Sequence, residues 1–237
     1  MSNRHLTALF ASIYLYIRVL NKCRAKLSIK KIYLLRHGQT DFNLQGIIQG
    51  SGVDTSLNET GQWQAQKFFE AYQDIPFDKV YTSVLQRSIQ SVQGFIDKGI
   101  PHEKYTELNE ICWGTREGTC VTPETDIAYF QLLNKWNEGE TSLRMDGGES
   151  PEDVAVRQRE FLKILTARPE EETVLICMHG RAMRVFLCVL LNYPLHCMDV
   201  FEHHNLGLYV LYYTGTMFTI HKHLDIAHLD EKSQDLY

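Results

Sequence analysis

No Cys-x-x-Cys pair occurs in this 237-residue chain, although it carries six cysteines: Cys23, Cys112, Cys120, Cys177, Cys188 and Cys197. That absence removes the usual spacing signature of a zinc ribbon or a dithiol redox site. Cys177 and Cys188 lie in strongly apolar runs, so reduced, buried thiols and a cytoplasmic location are expected. Positive charge is also in short supply, with 24 Lys and Arg against 29 Asp and Glu, a net charge of -5. An acidic chain offers no basic face for general nucleic-acid binding. It can still hold a small anion where a few arginines converge. Nor is there an unbroken apolar run of the roughly 20 residues that a membrane span requires. The nearest approach, Leu6 to Leu20, is interrupted by Arg18 and flanked by Arg4, Lys22, Arg24 and Lys26. No small-x-small cleavage site follows it. Residues 1–28 are therefore read as an N-terminal extension, either an amphipathic appendage or the product of a start site placed too early. Residues 29–226 carry no repeat or linker and are read as one domain, with 227–237 as a tail.

What is present alternates between strand and helix patterns. Ile29 to Leu35 (IKKIYLL) and Thr173 to Met178 (TVLICM) are apolar and β-branched, as buried strands should be. Lys79 to Thr82 is a further short strand, and Thr106 to Leu108 is expected to be another. Gly207 to Tyr213 and Met217 to His221 form a pair around Thr214-Gly215-Thr216. Helices are expected from Asn58 to Tyr72, with Trp63, Phe68 and Phe69 inward, from Gln86 to Asp97, and from Arg181 to Leu191. Another starts at Ser150-Pro151-Glu152-Asp153, where an N-cap serine, a first-turn proline and two acids coincide. Cys112 to Gly148 is polar and broken by glycine and proline, an irregular excursion in which Trp113, Phe130 and Trp136 would pack. The alternation predicts an α/β fold, with a mostly parallel sheet covered by helices on both faces.

The chemistry gathers where strands end, since ligands of open α/β sheets bind beyond the carboxyl ends of strands. The first strand runs into Leu34-Leu35-Arg36-His37-Gly38, and a later one into Cys177-Met178-His179-Gly180, repeating the same strand-His-Gly arrangement. The short strand before Ser83 leads to Arg87. A neutral imidazole can attack phosphorus when its other ring nitrogen is held. Arginine forks match the oxygens of the phosphoryl group in transfer. Arg36, Arg87 and a protonated His179 would then do the electrostatic work that magnesium does elsewhere. Glu110, among Ile111 and Trp113, is the candidate acid for the departing alcohol. No cofactor is implied. His203-His204 and the alternating His221 and His223 lack a third ligand in a recognised spacing, so no metal site is expected.

Taken in order, these residues resemble the histidine phosphatase superfamily, the phosphoglycerate-mutase-like family. The matching pieces are Leu34 to Thr40 with Asn43, Gln49-Gly50, Leu57 with Gly61 and Gln64-Ala65, and Thr82-Ser83 with Leu85 and Arg87. Leu108-Asn109-Glu110 with Gly114 and Glu117-Gly118, Gly148-Glu149-Ser150 and His179-Gly180 follow. The resemblance implies a three-layer α/β/α sandwich. It makes His37 the phosphorylated nucleophile, Glu110 the proton donor and acceptor, and Arg36, Arg87 and His179 the rest of the phosphate pocket. It places Gly38, Gln39, Thr40, Asn43, Gln49, Gly50 and Gly180 against a small phosphorylated substrate. Arg116 and Arg181 depart from the common pattern. They either answer extra anionic groups on the substrate or pair with Glu117 and solvent. The activity expected is a phosphatase. A phosphoglycerate mutase or a non-catalytic phospho-ligand binder are the rival readings, and the oligomeric state is not legible.

Overall fold

The computed structural model describes residues 29–120 and 127–230; the N-terminal extension lies outside them, as do residues 121–126 and 231–237. Strand β1 (Lys30–Arg36) is buried along most of its length because it lies inside a six-stranded sheet of order β3-β2-β4-β1-β5-β6. Strands β2 (Lys79–Thr82), β3 (His102–Lys104) and β4 (Thr173–Met178) join β1 in a parallel set. Strand β5 (Leu208–Tyr213) is antiparallel to β1, and β6 (Phe218–Asp225) is antiparallel to β5.

Side chains alternate across this sheet and so feed two cores. On one face Ile32, Leu34, Tyr81, Val174 and Ile176 pack with Phe161 and Phe186. On the other, Tyr33, Leu35, Val80, Leu175 and Cys177 pack with Phe68, Phe77 and Phe95. The helices of the described residues are, in chain order, α1 (Asp41–Leu44), α2 (Glu59–Tyr72), α3 (Gln86–Gln90), α4 (Gln93–Asp97), α5 (Ile127–Asn137), α6 (Pro151–Thr166) and α7 (Gly180–Leu191), of which α2, α4, α6 and α7 supply Phe68, Phe95, Phe161 and Phe186. Helices α2 and α4 cover one face and α6 and α7 the other, giving the three-layer α/β/α sandwich. Burying each aromatic ring stabilises the fold by roughly 2–3 kcal/mol.

Local signals set several boundaries. Ser150 caps α6 in a reciprocal box, accepting from Asp153 N while the Asp153 carboxylate accepts from Ser150 N. Asn58 caps α2 by accepting from Gly61 N at 2.9 Å.

Four expectations need correction. Gln86 to Asp97 is two short helices, broken where the Ser91 hydroxyl turns to accept from Gly38 N at 2.8 Å. Thr106 to Leu108 is a 3-10 turn. The strand lies earlier, at His102–Lys104, where polar residues pair with β2 at the sheet edge. On α2, Phe68 is fully buried while Trp63 and Phe69 are half-buried, packing at the rim of that core. Trp113 and Trp136 are buried with ring centroids 5.6 Å apart, whereas Phe130 remains 38% exposed on the outer side of α5.

Candidate active site

Strand register builds the site. Arg36 is level with Met178, and Thr82 with Cys177, so the residues after them emerge together at one edge. His37 N donates to Met178 O at 3.0 Å, and Ser83 N to Cys177 O at 3.4 Å. The His37 ring is buried, with Nδ1 2.7 Å from the carbonyl oxygen of Gly38. A carbonyl only accepts, so Nδ1 carries the proton and Nε2 keeps its lone pair. Burial, reinforced by the Arg87 and Arg36 charges, pushes the His37 pKa well below the usual histidine range. The ring is neutral, with Nε2 unprotonated.

His179 is fully buried at the N-cap of α7. Its Nδ1 accepts from Arg87 Nε at 3.2 Å, and Nε2 lies 2.7 Å from the Ser83 hydroxyl. Burial first, then Arg87, lowers its pKa strongly. The expected protonated His179 is therefore corrected: in the free pocket the ring is neutral, because a cation there would sit unsolvated beside two guanidiniums. Arg87, also fully buried, donates to the carbonyls of Val53 at 2.6 Å and Gly50 at 3.2 Å.

Glu110 faces this pair from the loop after the 3-10 turn. Its carboxylate accepts from the backbone N–H groups of Ile111 (2.8 Å), Arg181 (3.0 Å) and Ala182 (2.8 Å), the last two in the first turn of α7. The loop is fixed from behind by Arg157 of α6, which donates to the carbonyls of Glu107 (2.7 Å) and Glu110 (3.2 Å) and pairs with Glu149. A pocket of about 160 Å³ opens here, lined by Arg36, His37, Asn43, Gln49, Glu110 and Gly180 among others.

The remaining expected residues order the loop that follows His37. Gln39 N donates to Gln64 Oε1 at 2.9 Å. Thr40 and Asn43 cap α1 reciprocally, and Gln49 donates to the Thr40 hydroxyl at 2.7 Å. Gly38 and Gly50 sit where a side chain cannot: an added Cβ would lie 2.7 Å from Gly61 O in one case and 1.8 Å from Glu117 Oε1 in the other. Arg181 pairs with Asp199, which also takes Arg184. Its partner is thus a carboxylate further along the chain rather than Glu117.

Sequence reasoning missed His203, Asn205 and Tyr129 as parts of the site, and read Trp113 only as a neighbour of Glu110. His203 lines the pocket, with Nδ1 3.2 Å from Arg36 Nη1. Asn205 donates to His37 O at 2.9 Å. The rings of Trp113 and Tyr129, 5.2 Å apart, form an apolar wall. His221 packs tilted against Tyr212 and His223 edge-on against Tyr209.

With the geometry in place, the model of the histidine phosphatase superfamily, branch 1, matches residues 32–226. The chain belongs to the histidine phosphatase superfamily. Among its superfamily relatives, fructose-2,6-bisphosphatase TIGAR B of Danio rerio is 32% identical over 156 residues, covering 63% of this chain and 56% of that protein. The 6-phosphofructo-2-kinase/fructose-2,6-bisphosphatase 1 of Mus musculus is 32% identical over 165 residues, 69% of this chain and 33% of that one. The chain thus spans about half, or less, of these relatives. Among solved structures, Bacillus stearothermophilus YhfR superposes with a TM-score of 0.76 at 24% identity, over 85% of this chain and 100% of the other. A mycobacterial glucosyl-3-phosphoglycerate phosphatase, solved with VO3, gives 0.74 at 25% identity over 82% and 98%. Among the described residues, no three His, Cys, Asp or Glu side chains cluster to hold a metal, and no helix is long and apolar enough to cross a membrane.

Proposed function

We propose that this chain hydrolyses a small phosphate monoester through a phosphohistidine on His37. The observation that carries the reading is the 2.7 Å contact of His37 Nδ1 with Gly38 O, which directs the Nε2 lone pair to the reacting phosphorus. In the first step the Nε2–P bond forms and the P–O bond to the alcohol breaks. Glu110, which enters this step as the carboxylic acid, gives its proton to the departing oxygen and is left as the carboxylate. In the second step water attacks phosphorus, Glu110 takes the water proton, and the P–N bond breaks to release orthophosphate. Arg36 and Arg87 carry the charge on the equatorial oxygens throughout. No step calls for a metal.

Water, rather than a second sugar or glycerate, is the acceptor. A mutase must exclude water under a cationic lid. Lys135 and Arg144, the basic residues between Thr119 and Asp146, are engaged with Glu140 at 3.1 Å and Asp153 at 2.9 Å. The relatives' names point the substrate search toward phosphorylated sugars and glycerates.

Incubation with a 32P-labelled ester followed by a non-acid quench should trap acid-labile, base-stable label on the native chain and none on His37→Ala. Label that persists in the variant refutes the covalent assignment. If primed 3-phosphoglycerate is isomerised faster than any ester is hydrolysed, the acceptor is not water.

A further inference from the structure

The loop that precedes β5 is strapped to the end of β1 more firmly than its irregular backbone would suggest. Leu206 N donates to Arg36 O at 3.0 Å, and Asn205 Nδ2 donates to His37 O at 2.9 Å. Leu206 adopts φ +55, a left-handed conformation uncommon for leucine. A residue so held owes its geometry to its surroundings. One side chain thrown inward by this loop is His203, whose Nδ1 lies 3.2 Å from Arg36 Nη1. Its far edge fills the space above Gly180, where a Cβ would come within 2.7 Å of Nε2.

A guanidinium has donors only, so Nδ1 of His203 must accept and the ring must be neutral, with its proton on Nε2. Burial, then the charges of Arg36, Arg184 and Arg181, brings its pKa down to about 2, in the same direction. Arg87 is held in the same manner by Nδ1 of His179, also at 3.2 Å. Elsewhere the molecule handles arginines differently: Arg181 and Arg184 share the carboxylate of Asp199, which offsets part of their charge.

From this contrast we infer that His203 is a positioning residue for Arg36, a neutral acceptor that aims the guanidinium at the phosphoryl site without cancelling its charge. A carboxylate in the same place would orient the fork equally well and compete with the substrate for it. An imidazole orients and, being neutral, subtracts no charge of its own from the guanidinium. The inference rests on the proposed role of the pocket in gripping a phosphoryl group.

Its test uses the full chain, p-nitrophenyl phosphate as substrate, and vanadate as a competitive probe of the phosphoryl site. Three variants are compared: His203→Ala, His203→Asn, whose Oδ1 falls near the place of Nδ1, and His203→Asp. Losing one charge-assisted hydrogen bond should weaken vanadate inhibition and lower kcat/KM in the alanine variant by about 10- to 100-fold. Asparagine should return both to within about threefold of the native chain, a change of less than one hydrogen bond's worth. Aspartate should stay at least about tenfold impaired despite keeping an acceptor, because it neutralises Arg36. Thermal melting of all three separates these effects from loss of the fold; should the alanine variant not fold, the asparagine–aspartate contrast decides. Alanine binding vanadate as the native chain does, or aspartate rescuing as well as asparagine, overturns the inference while leaving the phosphatase reading intact. A native chain that hydrolyses no ester and binds no vanadate sinks that reading, and the inference with it.

Discussion

The imidazoles of His37 and His179 face one another with ring centroids 5.1 Å apart and planes inclined by 54°. Each lies at the end of a parallel strand, and each is kept neutral by burial and by arginine charge. Two neutral bases thus stand side by side where the sequence alone suggested a base and a cation.

The first prediction concerns acid. Both folded-state pKa values lie below the unfolded histidine value of 6.5, so below that pH the unfolded chain binds protons that the folded chain refuses. Stability is therefore at its plateau above about pH 6.5 and is lost as the pH falls beneath it, by about 1.4 kcal/mol per unit for each of the two rings. Urea midpoints taken between pH 7.5 and 5 check this. A midpoint that holds constant across that window would mean the rings are charged in the native state.

Catalysis should follow a different course over the same range. The nucleophile is already deprotonated in the free protein, so kcat/KM should show no loss centred on 6.5 while the chain remains folded. A rate profile falling tenfold per unit below about pH 6.5 at full folded fraction would contradict the neutral His37.

Glu110→Gln should discriminate between leaving groups. An alkyl oxygen needs a proton in order to depart, whereas p-nitrophenolate leaves nearly unaided. The variant should lose about 10²- to 10⁴-fold on alkyl esters and far less on the aryl ester. Equal losses on both would reduce Glu110 to a brace for the first turn of α7, whose N–H groups it already holds.

Gly61→Ala should harm turnover without touching the pocket. An added Cβ there would lie 2.1 Å from Gln39 O and 2.8 Å from Gln39 N, pushing the first turn of α2 into the loop that carries His37. Overpacking of this kind typically costs about 1–3 kcal/mol. Both the melting temperature and kcat should fall; a fully active, equally stable variant would show that the loop yields freely.

Chelation should do little. The arginines supply the electrostatics, so exhaustive treatment with a chelator should leave activity within about twofold, far from the loss of several kcal/mol that removing a catalytic metal brings. Activity that collapses and returns with added zinc or magnesium would overturn the mechanism.

Legibility in the sequence tracked the range of the interactions involved. β1, β4 and the start of α6 were readable because apolar runs and a capping serine act within a few residues. The edge strand at His102–Lys104 was not, since its sequence is polar and its pairing with β2 supplies the order. The break between α3 and α4 escaped for a similar reason: it falls at Ser91, whose hydroxyl accepts from Gly38, 53 positions away. Arg36, His37, Arg87, Glu110 and His179 stood out because each occupies a position in an ordered family pattern. His203 had no such marker. Its meaning lies in Arg36 and Gly180, brought to it only by the completed sheet.

Arg157 carries a consequence for how the molecule comes together. Its fork joins α6 to the carbonyls of Glu107 and Glu110, while the carboxylate of Glu110 hangs on the first turn of α7. The Glu110 carboxylate therefore reaches its place only once α6 and α7 have both docked on a sheet whose partner strands are distant in sequence. Pairings of that kind close late, because the loop entropy they cost precedes their reward. Recovery of turnover after dilution from denaturant thus times the last stage of assembly, lagging behind signals from helix or from the aromatic cores.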